Sequence, residues 1–218
     1  MDKRFELIVF DWDGTLLDSA GRIVTCIQTA AADLGLPPPS DEQARRVIGL
    51  GLHEALRNAM PELEPNHYDE LAGRYRHYYL SSDHELPLFN GAAELVRDLA
   101  AKGYRLAVAT GKSRKGLDRA FAASGLGHYF HASRCADECH SKPHPQMLEE
   151  LMDELDAPPD ATLMIGDTTY DLQMATNAGI GALAVAYGAH PREMLAEMSP
   201  LYCADSLADL TDWLRRHG

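Results

Sequence analysis

The sequence predicts an α/β protein: a Rossmann-like parallel sheet core with a helical module inserted after the first strand. Three observations carry this. Short apolar, β-branched runs recur with amphipathic helical segments between them, the pattern of a parallel sheet covered on both faces. One long stretch, residues 18–86, breaks the alternation and contains no strand-like run. The strand-like runs end abruptly in polar residues, as the carboxyl edge of an open parallel sheet does.

The first run spans residues 5–10 and closes in Asp11-Trp12-Asp13-Gly14-Thr15. In an extended segment residues two apart share a side, so Asp11 and Asp13 can face one site. Two carboxylates that close repel, which calls for a cation or a shared proton. Further runs are expected at 104–109, 129–133, 162–165, 182–186 and 201–203, with helices over 92–102, 114–124, 146–155, 169–178, 192–198 and 206–216. Within 18–86, a helix over 19–34 places Ile23, Ile27, Ala30 and Leu34 on one face, and Pro37-Pro38-Pro39 is expected to end it. Ser40-Asp41-Glu42-Gln43 reads as a capping box opening the next helix. Gly49-Leu50-Gly51 interrupts, a helix resumes through Met60, and another covers 66–81. The division is therefore 1–17 with 87–218 for the core, and 18–86 for the insertion.

The 218 residues are 45% hydrophobic and 24% charged, with a net charge of −13. That balance disfavours nucleic acid and anionic membranes as partners. It does not exclude an anionic substrate, because a bound metal can reverse the local sign. Cys26, Cys135, Cys139 and Cys203 form no disulfide framework. The N-terminal residues lack a signal-peptide pattern, and no apolar run approaches the ~20 residues of a membrane span. A cytoplasmic protein, monomer or homodimer, is expected.

Three strands end in groups with chemistry: Asp11, Thr110-Gly111, and Gly166-Asp167. Asp171 follows four residues after Asp167, and Lys142 follows the third strand. Carboxylates with open positions suit Mg²⁺, which takes oxygen ligands. A carboxylate can also accept a phosphoryl group covalently, while cations and donors hold its oxygens.

Asp11-Trp12-Asp13-Gly14-Thr15, Thr110-Gly111-Lys112, Lys142-Pro143, and Gly166-Asp167 with Asp171 resemble, in order, the four motifs of the haloacid dehalogenase superfamily. The resemblance covers nearly the whole chain and is nearest to its phosphoglycolate-phosphatase-like branch. It implies a hydrolase core with 18–86 as its helical cap. It implies Asp11 as nucleophile and Asp13 as general acid and base. Mg²⁺ would be held by Asp11, the Asp13 carbonyl and Asp167, with Asp171 supporting the metal from behind. Thr110, Gly111 and Lys142 would hold the phosphate. The expected activity is Mg²⁺-dependent hydrolysis of a small phosphate ester, phosphoglycolate-like, through an aspartyl phosphate. The alternatives are a phosphomutase or pyrophosphatase on the same core, or a phosphorylation-regulated binding protein.

Other features have plainer readings. A calcium loop starting at Asp11 would need Glu where Arg22 stands, and a nucleotide P-loop would need Gly where Leu106 stands. Lys112 reads equally as a solvated charge or a substrate contact. Cys135, Cys139, His140 and His144 fit no common zinc spacing. Arg45, Arg46 and His53 flank the Gly49–Gly51 loop and read equally as substrate-facing or solvated. Tyr75, Tyr78 and Tyr79 read as helix packing.

Overall fold

A computed structural model describes residues 4–81 and 83–218. Residues 1–3, part of the stretch expected to lack a leader pattern, and residue 82, within the insertion, lie outside these.

Among the described residues six strands form one parallel sheet: β1 Leu7–Phe10, β2 Arg105–Thr110, β3 Ala132–Cys135, β4 Thr162–Gly166, β5 Gly181–Val185 and β6 Tyr202–Ala204. Their spatial order is β3-β2-β1-β4-β5-β6. The chain builds outward from β1 in one direction, then returns to the other side of β1 with β4. That reversal places the topological switch point between β1 and β4, where open parallel sheets leave a crevice at their carboxyl ends. Phe10 is registered against Val108 on one side and Ile165 on the other, so these strands finish side by side.

The period-two alternation of the strands divides the core in two. Ile8, Phe10, Leu106, Val108, Leu163 and Ile165 pack on one face against α5 (Ala92–Ala101), α6 (Arg114–Ser124) and α10 (Leu207–His217). Leu7, Val9, Ala107, Ala109 and Met164 pack on the other against α7 (Gln146–Glu154), α8 (Thr169–Asn177) and α9 (Arg192–Glu197). The third strand lies later than expected. Gly127–Tyr129 is a 3-10 turn, and Phe130 stacks on Phe121 at 5.5 Å and meets the Trp12 ring edge-on at 6.0 Å. Those aromatics are apolar because they fill the core from a connection, not because they are strand.

The inserted stretch holds α1 (Ala20–Asp33), α2 (Asp41–Arg46), α3 (Leu52–Ala59) and α4 (Tyr68–Leu80). These share a hydrophobic cluster of their own, built from Ile23, Ile27, Ala44, Leu56, Leu71 and their neighbours. The three prolines do not end α1. Gly35, at φ +69°, does so: its N–H donates to Ala32 and that of Leu36 to Ala31, the paired bonds of a Schellman motif. The Ser40 capping box is formed, with Gln43 N donating to Ser40 Oγ and Ser40 N to Gln43 Oε1. The chain leaves the sheet at Leu17 and returns at Leu88, and these two residues form an antiparallel bridge. Asp18 N–H donates to the Pro87 carbonyl, and Phe89 N–H to that of Leu16.

Candidate active site

The site begins with the turn after β1. Leu16 and Leu17 N–H groups donate to the Trp12 carbonyl, and Gly14 N–H donates to Leu17, folding the loop onto itself. Trp12 points into the core against Phe121 at 5.2 Å, which turns its neighbours Asp11 and Asp13 toward the opposite, polar side. Gly14 sits at φ +79°, and a Cβ there would lie 2.1 Å from Asp167 Oδ2. Only glycine lets the loop turn this way and pass this close to β4.

Asp11, Asp167 and Asp171 each offer an oxygen within 4.8 Å of the others, and all three are buried. Among the described residues this is the one such group of potential metal ligands. Lys142 is also fully buried, its Nζ 2.8 Å from Asp11 Oδ1 and 2.6 Å from Asp171 Oδ1. Asp171 occupies the third position of α8, and its other oxygen accepts from Thr168 N at 3.0 Å and Thr168 Oγ1 at 2.7 Å. Asp167 Oδ1 accepts from Thr15 Oγ1 at 2.9 Å, and Oδ2 from Ala189 N at 2.7 Å. Asp11 Oδ2 is buried with no hydrogen-bond partner among the described residues.

One ammonium does not neutralise three carboxylates. Burial, opposed by Lys142 and reinforced by Asp171 and Asp13, pushes Asp11 up to about 7. Burial together with Asp11 and Asp171 holds Asp167 well above the carboxylate range. Burial alone would lower Lys142, but Asp11 and Asp171 hold it above its ordinary value. The unpartnered Asp11 oxygen, the excess of negative charge and the all-oxygen donor set fit a hard divalent cation such as Mg²⁺.

Asp13 belongs to a different set of contacts. Its Oδ1 accepts from Ser19 Oγ at 2.7 Å and Tyr79 Oη at 3.3 Å, and its Oδ2 lies 2.9 Å from Lys112 Nζ. Lys112 also donates to Tyr79 Oη at 2.9 Å. Lys112 is therefore neither solvated nor idle: its side chain is 9% exposed and ion-paired. Tyr79 does pack in the insertion's core, but it also carries a hydroxyl to the site. The sequence offers Lys112 as a charge or substrate contact and Tyr79 as packing, but not their meeting with Ser19 at Asp13, because the three reach it from separate elements. The Lys two residues after Thr110 was the one visible signal.

Thr110 is fully buried at the end of β2, where its Oγ1 accepts from Lys112 N at 3.3 Å. At Gly111 a Cβ would meet the carbonyl oxygens of Gly49 and Leu50 at 2.6 Å, so the insertion's loop lies directly on the core there. Gly51 N–H donates to Ser141 Oγ at 3.0 Å, and the Arg46 carbonyl accepts from Tyr170 Oη at 2.9 Å. His53 and Tyr75 line the open cavity between insertion and core, whereas Arg46 pairs outward with Glu42. Arg45 and Tyr78 are not among the lining residues.

Cys135, Cys139, His140 and His144 are not gathered into a ligand set. Burial pushes the Cys135 thiol up to about 12 and that of Cys139 up to about 11, which disfavours the thiolates zinc needs.

The family model described as haloacid dehalogenase-like hydrolase matches residues 8–185. The chain belongs to the haloacid dehalogenase-like hydrolases. It is 35% identical to "Probable phosphatase IndB" of Dickeya dadantii (strain 3937), over 94% of this chain and 91% of that one. It is 31% identical to "Phosphoglycolate phosphatase" of Vibrio vulnificus (strain CMCP6), over 96% of each chain. The crystal structure of a predicted phosphoglycolate phosphatase from Haemophilus somnus 129pt superposes with a TM-score of 0.86 at 27% identity, covering 98% of this chain and 99% of that one. No helix among the described residues is long and apolar enough to cross a membrane.

Proposed function

We propose that this hydrolase is a Mg²⁺-dependent phosphatase of phosphorylated metabolites that works through an aspartyl phosphate on Asp11. The observation that carries the reading is the state of Asp11: one oxygen is ion-paired to a buried lysine, and the other is buried, unpartnered and surrounded by further carboxylates. Such a group is poised to meet a cation and a phosphorus atom, not to stabilise a fold.

The Asp11 carboxylate attacks phosphorus, and the bond from phosphorus to the leaving oxygen breaks as the bond to Asp11 forms. Asp13, at the floor of the cavity, gives its proton to that oxygen, then takes one from the water that cleaves the acyl phosphate. Lys142 and Thr110 hold the phosphoryl oxygens, and Lys142 also holds Asp11 in place. Asp11, Asp167 and the Asp13 carbonyl would hold Mg²⁺, with Asp171 supporting them. The ion supplies positive charge opposite the developing negative charge on the phosphoryl group. Residues 18–86 act as the cap that keeps bulk water from the intermediate until the leaving group departs. The likeness to phosphoglycolate phosphatases makes phosphoglycolate the reference substrate. A cytoplasmic enzyme without nucleic-acid or membrane partners, monomeric or homodimeric, is the setting proposed.

The test is phosphate release from a panel of phosphate esters, with and without Mg²⁺, by wild type and Asp11→Asn. Turnover that needs Mg²⁺ and disappears in Asp11→Asn is the expected result. Turnover retained in Asp11→Asn refutes the nucleophile. Isomer formation without phosphate release would indicate a mutase, and release from pyrophosphate alone a pyrophosphatase.

A further inference from the structure

The leaving group of a phosphate ester must sit in the cavity that adjoins Asp13, and the cavity's size and walls restrict its chemistry. Its volume is about 700 Å³, within the ~300–1,000 Å³ that encloses drug-sized organic molecules. The cavity includes the phosphate position beside Asp11 and Thr110, and at roughly 30 Å³ per water-sized group the heavy atoms of the whole phosphoglycolate molecule would fill on the order of 270 Å³. The remainder would have to stay wet against an apolar wall.

Three segments of the insertion contribute apolar side chains to that wall. Ile23 and Ile27 come from α1, Val47 and Ile48 from the segment before α3, and Tyr75 and Tyr79 from α4. The Tyr75 and Tyr79 rings stack at 5.6 Å and 18°. Tyr79 is anchored by its hydroxyl to Asp13 and Lys112, with Lys112 Nζ over its ring at 4.7 Å, and so holds the half-buried Tyr75 ring in place on the lining. A ligand ring can meet the Tyr75 ring there in an offset or edge-on arrangement.

The charges argue against a short carboxylate. The buried lining carboxylates are Asp11 and Asp13, and Lys112 beside them is paired with Asp13. Glu54 and Asp137 are exposed, as are Arg57, Arg76 and Lys115, so the rim carries both signs. A carboxylate next to the phosphate would lose its water, and among the described lining residues no unpaired buried cation stands there to meet it.

We propose that the cavity takes a ring-bearing, largely apolar leaving alcohol, so that the substrates are ring-bearing phosphate monoesters and not phosphoglycolate. This rests on the phosphatase reading above. The chemistry is unchanged: the ester oxygen leaves phosphorus for the Asp13 proton, and the ring alcohol departs from the cavity.

The test compares 2-phenylethyl phosphate, ethyl phosphate and phosphoglycolate with the Mg²⁺-loaded enzyme. The first two alcohols are of similar acidity, so their difference reports the cavity and not the intrinsic reactivity of the bond. A kcat/KM for the phenylethyl ester at least about tenfold above both others is expected. That preference should narrow several-fold in Tyr75→Leu, which keeps apolar bulk while removing the ring, and in Ile27→Ala. Equal kcat/KM for the two alkyl esters, or a preference for phosphoglycolate, overturns the proposal and leaves the phosphatase reading standing. A preference unchanged in folded samples of both variants overturns the assignment of the wall. No turnover of any ester by folded wild type overturns the phosphatase reading and the proposal together.

Discussion

Replacing Lys142 by Met deletes the one cation between two buried carboxylates. Its Nζ stands 2.8 Å from Asp11 and 2.6 Å from Asp171, and none of the three side chains is more than 1% exposed. At an effective dielectric of about 20, each contact corresponds to about 6 kcal/mol of attraction. Withdrawing the three charges from water cancels much of that, and one-sided deletion of a buried pair costs about 3–5 kcal/mol. In a chain of this size 1 kcal/mol corresponds to roughly 2–4 °C, so Lys142→Met in EDTA at pH 8 should melt roughly 6–20 °C below wild type. The loss should shrink at pH 5.5. Burial already pushes Asp11 up to about 7 against the opposing influence of Lys142. Without Lys142 its affinity for a proton rises further, and at pH 5.5 it takes one up instead of repelling its neighbours. Urea denaturation or calorimetry in the two buffers measures both quantities. A loss under about 1 kcal/mol at pH 8, or the same loss at both pH values, would refute the picture of Lys142 as the neutralising charge.

The same carboxylates give the metal-free wild type a pH dependence. Asp11 is raised from 3.8 to about 7, chiefly by burial, so in that interval the folded state keeps a proton that the unfolded state has released. Its contribution to stability therefore falls as pH rises from about 4 to about 7. Mg²⁺ should consequently raise the melting temperature more at pH 8 than at pH 5.5, by up to ~2.7 kcal/mol equivalent at a hundredfold excess over Kd; thermal melts with an equal or larger shift at pH 5.5 would count against metal binding at this cluster. Gly14→Ala should displace the Asp167 carboxylate, since the new Cβ would start 2.1 Å from Oδ2. A misplacement on the order of 1 Å costs about a hundredfold in rate, so steady-state kinetics showing near wild-type kcat would mean that Asp167 is not needed where it stands.

The central strands were legible because each is an apolar run that stops at a polar residue. Leu7 to Phe10 is apolar throughout, as a strand buried on two faces must be, and it stops at a carboxylate. The edge strand β3 was less legible. Ala132, Ser133 and Arg134 are only half-buried and carry no apolar run, while the aromatic residues just before them imitate one. The termination of α1 was misread for a related reason: three prolines are a louder signal than Gly35, but the single glycine supplies the left-handed turn first. Within the candidate site, residues at strand ends could be found from local pattern alone. The meeting of Lys112, Tyr79 and Ser19 at Asp13 could not, because it is a product of how the insertion lies on the core and has no local periodicity.

The bridge between Leu17 and Leu88 has an evolutionary consequence. The two connections to the insertion leave the sheet as neighbours, bonded to each other, so the module costs the core no strand and strains no crossover. Swapping that module for another of different shape would leave Asp11, Lys142, Asp167 and Asp171 in their places, since the first three follow strands of the sheet and Asp171 opens α8 behind β4. A new module can thus be tried at one doorway while Asp11 and its charged partners stay in place; what changes with the module is the set of hydroxyls, from Ser19 and Tyr79, that meets Asp13.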